Sequence, residues 1–190
     1  NQLWQTDFTY LKVTGWGWFY LSTVLDDFSR YIIAWKLCTT MAASDVTETL
    51  ELALAASDCG QAKIRHQPRL LSDNGPCYIA DDLAKWLGEK RIAHVRGAPC
   101  HPQTQGKIER WHQTLKNRIL LENYYLPGDL EAQINAFVEH YNHQRYHESL
   151  QNLTPADVYF GRGQTILLER ERIKRQTLQQ RRLLHQRRAA

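Results

Sequence analysis

Alternation of apolar and polar positions opens the chain. Leu3–Val13 alternates as a half-buried strand does, and Gly15-Trp16-Gly17 breaks it. Trp18–Leu25, aromatic and β-branched, returns from that turn as a second strand. Asp26–Arg30 is a polar loop and Tyr31–Leu37 a third strand, which predicts an antiparallel meander. Val46, Leu50, Ala53 and Leu54 then fall at helical spacing, with Ser44 as the expected N-cap and Cys59-Gly60 as the stop. Arg69–Ser72 is a short buried strand, ended by Asp73-Asn74-Gly75-Pro76. Asp81–Lys90 follows as a helix with Leu83, Trp86 and Leu87 inward, and Ile92–Val95 as a fifth strand. From Gln103 the pattern is helical. Asp129 is expected to cap a helix with Leu130, Ile134, Phe137, Val138 and Tyr141 on one face. Thr154-Pro155-Ala156-Asp157 opens a last short helix, with Thr at the cap, Pro first and Asp third. The order βββ-α-β-α-β-α predicts an α/β (α+β) fold, a mixed sheet covered by helices.

Composition narrows the class. With 43% hydrophobic and 23% charged residues, the 190-residue chain has the balance of a soluble globular protein, enough for one domain and an extension. No run approaches the roughly 18 apolar residues of a membrane span. Asn1–Thr6 is not a signal peptide, and a start without Met that enters a strand at once reads as an excised fragment. Cys38, Cys59, Cys77 and Cys100 lie 21, 18 and 23 residues apart, which fits neither a zinc ribbon nor a disulfide scaffold. The expected compartment is a reducing cytoplasm.

Charge divides the chain further. Residues 162–190 hold nine Lys/Arg and two Glu, whereas the first 161 hold 15 basic and 18 acidic residues. An acidic body, 1–161, thus carries a basic extension, 162–190, suited to a polyanionic partner or to solubility. The extension's Ile166, Ile173, Leu178 and Leu183 keep no clean heptad, so it reads as a solvated helix or as disorder.

Three acidic residues are not explained by packing. Asp7 lies inside the first strand, where Asp is depleted and needs a partner or a task. Asp73 stands just past the C-terminal end of the fourth strand, where open sheets place ligands, although Asp-Asn-Gly is also an ordinary turn. Glu109 can be projected onto its helix. There Gln105, Glu109, His112, Gln113 and Lys116 share a polar wedge of roughly 100°, beside an apolar wedge of Ile108, Trp111, Leu115 and Ile119. A carboxylate flanked by an amide and an ammonium suits a metal-bound phosphodiester. Other clusters read as structure. His140, His143 and His147 lack an acidic or cysteine partner for zinc, Cys100-His101 has no second half, and Asp26-Asp27 reads as turn chemistry. Trp18, Trp35 and Trp86 are expected in the core and Trp16 in an exposed turn.

Trp4-Gln5-Thr6-Asp7, Ser72-Asp73-Asn74-Gly75 and His101-Pro102-Gln103-Thr104-Gln105-Gly106-Lys107-Ile108-Glu109 resemble the three motifs of the retroviral-integrase superfamily. Thirty-five residues separate Asp73 from Glu109, the spacing of its DDE group. Tyr141–His147 and Thr154–Asp157 are similar to the downstream stretch of bacterial insertion-sequence transposases, so the resemblance covers about residues 3–161. It implies an RNase H-like fold with a mixed five-stranded sheet and extra C-terminal helices. It also implies a catalytic site of Asp7, Asp73 and Glu109 holding two Mg²⁺ or Mn²⁺ ions, which activate a water or a DNA 3′-hydroxyl and stabilise the departing oxygen. By the same match Lys116 grips the element's end and Gln105 lies beside the DNA. Asn74, with Gly75, shapes the turn that aims Asp73, and Arg145 holds DNA or ties the C-terminal helices to the core.

The activity implied is that of a DNA transposase, performing strand cleavage and strand transfer on element ends and target DNA. The expected protein is a homo-oligomer on DNA, cytoplasmic and nucleoid-associated, with no membrane and no small-molecule cofactor. Enzymes of this kind usually carry a helix-turn-helix before the core, and none is expected within these 190 residues. Two other readings use the same residues: an RNase H-type nuclease that hydrolyses and stops, and a catalytically silent DNA-binding remnant.

Overall fold

A computed structural model describes residues 2–57, 67–97 and 105–189. Its centre is β1 (Leu3–Val13), an eleven-residue strand paired on both sides. β2 (Gly17–Asp26) runs back antiparallel to β1, and β3 (Ile32–Cys38) antiparallel to β2. Gly15 and Gly17 adopt φ of 84° and 95° in the first hairpin, a conformation that side chains resist. On the other flank β4 (Arg69–Ser72) runs parallel to β1, and β5 (His94–Arg96) parallel to β4, giving the order β3-β2-β1-β4-β5.

Period-two alternation on β1 feeds two cores. Trp4 and Val24 join Leu70 beneath α1 (Ala43–Ala56) and α3 (Asp81–Glu89), which contribute Val46, Leu50, Leu83 and Leu87. On the opposite face Leu11, Val13, Leu21 and Leu25 meet α4 (Gly106–Ile119) and α5 (Pro127–His143). Ile108, Trp111, Leu115 and Ile119, the apolar wedge expected of α4, are all buried there.

Several local expectations are corrected. The N-cap of α1 is Ala42, not Ser44; the Asp45 carboxylate accepts the Ala42 N–H and the Thr40 hydroxyl, so the helix starts earlier than expected. α5 begins at Pro127 with Leu126 at the cap, leaving Asp129 in its first turn. A four-residue helix, α2 (Pro76–Ile79), follows Gly75 where a turn alone was expected, and β5 lies one to two residues later than Ile92–Val95. Trp18 is 53% exposed rather than in the core, while Trp35 and Trp86 are half-buried and Trp16 is exposed. The expected stop at Cys59-Gly60 lies outside the described residues, as does Cys100-His101.

At the far end, Thr154 caps α6 (Pro155–Tyr159) by accepting the Asp157 N–H at 3.2 Å. The basic extension is helical: α7 (Gly163–Ala189) runs 27 residues with most side chains exposed. Its first turns are fixed, because Arg170 Nη1 donates to the carbonyls of Gln151 and Asn152 at 3.3 and 2.9 Å. Arg172–Glu169 and Arg175–Glu171 pairs stiffen the next turn. No helix among the described residues is long and apolar enough to cross a membrane.

Candidate active site

Asp7 sits on the β1 face that α4 covers, partly buried, with Oδ1 accepting the Phe8 N–H at 2.8 Å. Its Oδ2 lies 3.5 Å from His112 Nδ1. Asp73 follows β4. The parallel register ends with Gln5 paired to Leu71, and Asp7 and Asp73 each stand two residues beyond that pair in their own segments. Both carboxylates reach one neighbourhood. Burial, then Asp73, and more weakly Asp7, push the Cys77 thiol up to about 11. Burial first and then Asp7 drive the buried Tyr78 hydroxyl well above its ordinary value.

The turn holding Asp73 is built for close approach. Gly75 N–H donates to Asp73 Oδ1 at 2.8 Å, and a Cβ on Gly75 would stand 3.0 Å from that oxygen. Asn74 Nδ2 donates to the Gly97 carbonyl at 2.9 Å, tying the turn to the end of β5, and Ser72 Oγ contacts His94 Nε2 at 2.8 Å. Gly75→Ala should therefore leave the melting temperature nearly unchanged, since only a side-chain oxygen must move. Displacing the carboxylate by a few tenths of an ångström should cut turnover roughly tenfold; parallel melting and strand-joining assays check both halves.

Glu109 is exposed in the first turn of α4, and its helix is positioned by a clamp that sequence spacing does not reveal. Gln5, buried on β1 two residues before Asp7, accepts the Ile108 N–H at 3.0 Å and donates to Asp27 Oδ1 at 2.7 Å. Asp27 in turn takes Lys107 Nζ at 2.7 Å. Only Asp26 does the turn work expected of the pair, accepting the Ser29 N–H and hydroxyl at 2.9 and 2.6 Å. The signal for Gln5 is an amide buried mid-strand, on the same face as Asp7. His112, expected on the polar face, is buried against Asp7, three residues beyond Glu109. Among the described residues nothing bonds its Nε2.

Asp7, Asp73 and Glu109 thus stand on β1, in the β4–α2 turn and on α4. Among the described residues no three His, Cys, Asp or Glu side chains gather closely enough to cage a metal. Carboxylates repel one another, and Asp7 and Asp73 each satisfy one oxygen locally. Lys116 Nζ lies 4.1 Å from the Tyr10 ring centroid. Gln105, at the α4 cap, is largely buried, and among the described residues its Nε2 has no acceptor. Arg145 follows Gln144, the C-cap of α5, with its guanidinium 5.8 Å from the Tyr141 ring. The three histidines go separate ways: His140 to Gln144, His143 to Glu139 and Tyr31, His147 to the Tyr141 ring. Burial, then Arg145 and Arg30, depress His147 to about 4. Residues 101–104 of the third motif lie outside the described residues.

Comparison with known proteins decides the family. The model of the integrase core domain matches residues 1–102, and a second model of the same description matches residues 90–155. The chain belongs to the integrase core domain family. This integrase core is 29% identical over 144 residues to the Gag-Pro-Pol polyprotein of mouse mammary tumor virus, covering 74% of this chain and 8% of that one. It is 26% identical over 158 residues to the transposase for insertion sequence element IS629 of Shigella sonnei, covering 83% of this chain and 51% of that one. The integrase core thus spans about half the length of that transposase and a small part of the viral polyprotein. In fold it resembles the HTLV-2 integrase catalytic core domain in complex with magnesium, with a TM-score of 0.66 at 20% identity over 84% of this chain and 96% of that one. The architecture is that of RNase H-like integrase and transposase catalytic cores.

Proposed function

We propose that this integrase core cuts DNA and joins the cut end to a second duplex by direct transesterification, at a site formed by Asp7, Asp73 and Glu109. The observation that supports the reading is the Gln5 clamp: from β1, two residues before Asp7, it bonds the first turn of the helix that carries Glu109, while Asp73 directly follows β4, the parallel neighbour of β1. The donor set fits a hard divalent cation such as Mg²⁺ or Mn²⁺: carboxylate oxygens, one of them cradled by Gly75 where a side chain would crowd it. Asp7, Asp73 and Glu109 would hold two such ions, which when bound would supply Lewis acidity to the phosphodiester.

The chain's own groups do the rest. Phe8 N–H and His112 orient Asp7, and Gly75 N–H orients Asp73. Lys116, seven residues along α4 from Glu109, holds the DNA end, Asn74 fixes the turn, and Arg145 adds a cation at the end of α5, whereas Gln105, buried at the α4 cap, supports the helix and does not face DNA. No serine or tyrosine nucleophile is required. Joining two ends to one target calls for more than one copy of the chain on DNA. The test is incubation of a labelled DNA end with target duplex and Mg²⁺. A joined product supports the proposal. Hydrolysis without joining favours an RNase H-type nuclease, and binding without either favours a silent remnant.

The basic extension, read as a separate unit from residue 162, supplies sequence-independent grip. Beyond the docked Arg170, residues 173–190 hold six Lys/Arg and no acidic residue. Truncation after Arg172 should leave melting unchanged and weaken DNA binding at low salt. The log K against log salt slope should flatten by about 0.9 for each phosphate that α7 no longer neutralises. An unchanged slope assigns α7 a purely structural role.

A further inference from the structure

The even positions of β1 turn toward the core roofed by α1 and α3, but only part of the strand is roofed. Trp4 is buried and Phe8 packs at the margin, its ring 6.2 Å from Tyr78. Beyond Phe8 the cover ends. Tyr10 is 58% exposed, and Trp18, expected in the core, is exposed as well. The β1–β2 register sets Tyr10 opposite Tyr20 and Lys12 opposite Trp18, so these side chains share one sheet face. The Tyr10 and Trp18 rings meet edge to face at 5.4 Å. Each ring has its own ammonium, Lys116 Nζ at 4.1 Å from Tyr10 and Lys12 Nζ at 6.0 Å from Trp18.

Lys116 comes from α4, which covers the other face. It reaches Tyr10 around the side of β1 where, among the described residues, pairing with β4 stops at Gln5. The aromatic patch therefore lies on the face opposite Asp7, and Lys116 links it around the strand edge to α4, the helix of Glu109. Tyr10 is three residues from Asp7 on one strand, a rise of about 10 Å, or roughly three base steps.

We propose that the Tyr10–Trp18 face, with Lys12 and Lys116, binds unpaired nucleotides of the DNA strand adjoining the phosphodiester at the carboxylate site. The inference rests on the DNA-joining reading above and adds to it a preference for a separated strand. Aromatic faces stack on any base, and a duplex keeps its base faces covered, so exposed rings select unpaired nucleotides. Ammonium groups meet phosphates without reading sequence. On binding, each ring exchanges its cation for a base and the freed lysine pairs with the backbone. A second copy of the chain suits the patch less well, because lysine is depleted from protein interfaces.

The test is fluorescence anisotropy of the full chain in EDTA, which prevents turnover, with two probes: a blunt duplex and the same duplex bearing a short single-stranded tail. The tailed probe should bind roughly tenfold tighter than the blunt one. Trp18→Leu and Tyr10→Leu should each remove most of that preference while leaving blunt-duplex affinity within about twofold, and Trp18→Phe should restore it. Leucine variants that keep the preference, or that weaken both probes alike, overturn the proposal. So does a changed oligomeric state in sedimentation with the preference intact. If the parent chain binds neither probe, the DNA-joining reading falls as well. If it binds both alike yet joins DNA ends, only the stacking face is refuted.

Discussion

Asp7→Asn, Asp73→Asn and Glu109→Gln should each abolish Mg²⁺-dependent cleavage and joining while the protein stays folded. Each substitution keeps the shape of the side chain and removes a charged oxygen. The loss should be on the order of 10³-fold or more, since several kcal/mol of transition-state stabilisation depend on the cation each carboxylate holds. Folding should not suffer. Asp73 and Glu109 are exposed, and Asp7 keeps an amide oxygen to accept the Phe8 N–H. Melting in EDTA should be unchanged or slightly raised, because a repelling charge is gone. A variant retaining substantial activity removes its residue from the site.

The largest effect on stability is expected far from the carboxylates. Asn142, buried near the end of α5, clamps β3 by accepting the Ile32 N–H at 2.9 Å and donating to the Ile32 carbonyl at 3.0 Å. β3 is the edge strand of the sheet, so on its side away from β2 no strand pairs with it. Asn142→Leu leaves two buried backbone groups unsatisfied, which costs about 2–4 kcal/mol. For a chain of this size that is a fall of roughly 5–15 °C in melting temperature. Chemical denaturation of the variant checks the free energy, and a change below about 0.5 kcal/mol would show that water replaces the amide.

What is legible in the sequence follows from period and punctuation. The bounds of β1 and β4 can be read correctly because alternation and the Asp-Asn-Gly-Pro stop are local signals. The apolar wedge of α4 is legible for the same reason. α2 is not, since four residues span barely one helical turn and show no period. Trp18 is misplaced by sequence because its face of the hairpin outruns the helices that cover it, and strand alternation says nothing about where a neighbouring layer stops. His112 falls with the polar residues for a related reason: only the docking of α4 on β1 turns its ring toward Asp7. The Gln5–Asp27–Lys107 clamp joins residues far apart in the chain, and no spacing rule finds it.

That clamp holds the first turn of α4, the helix that carries Glu109. The central claim is that Asp7, Asp73 and Glu109 serve a single cation-dependent site. Its most direct test is Mn²⁺ binding by electron paramagnetic resonance, comparing the parent chain with each single variant. The account predicts that all three substitutions weaken Mn²⁺ binding by roughly tenfold or more, each removing one anionic ligand. Full Mn²⁺ affinity in Glu109→Gln would contradict it, leaving Asp7 and Asp73 as a two-residue site and α4 as a cover without a ligand.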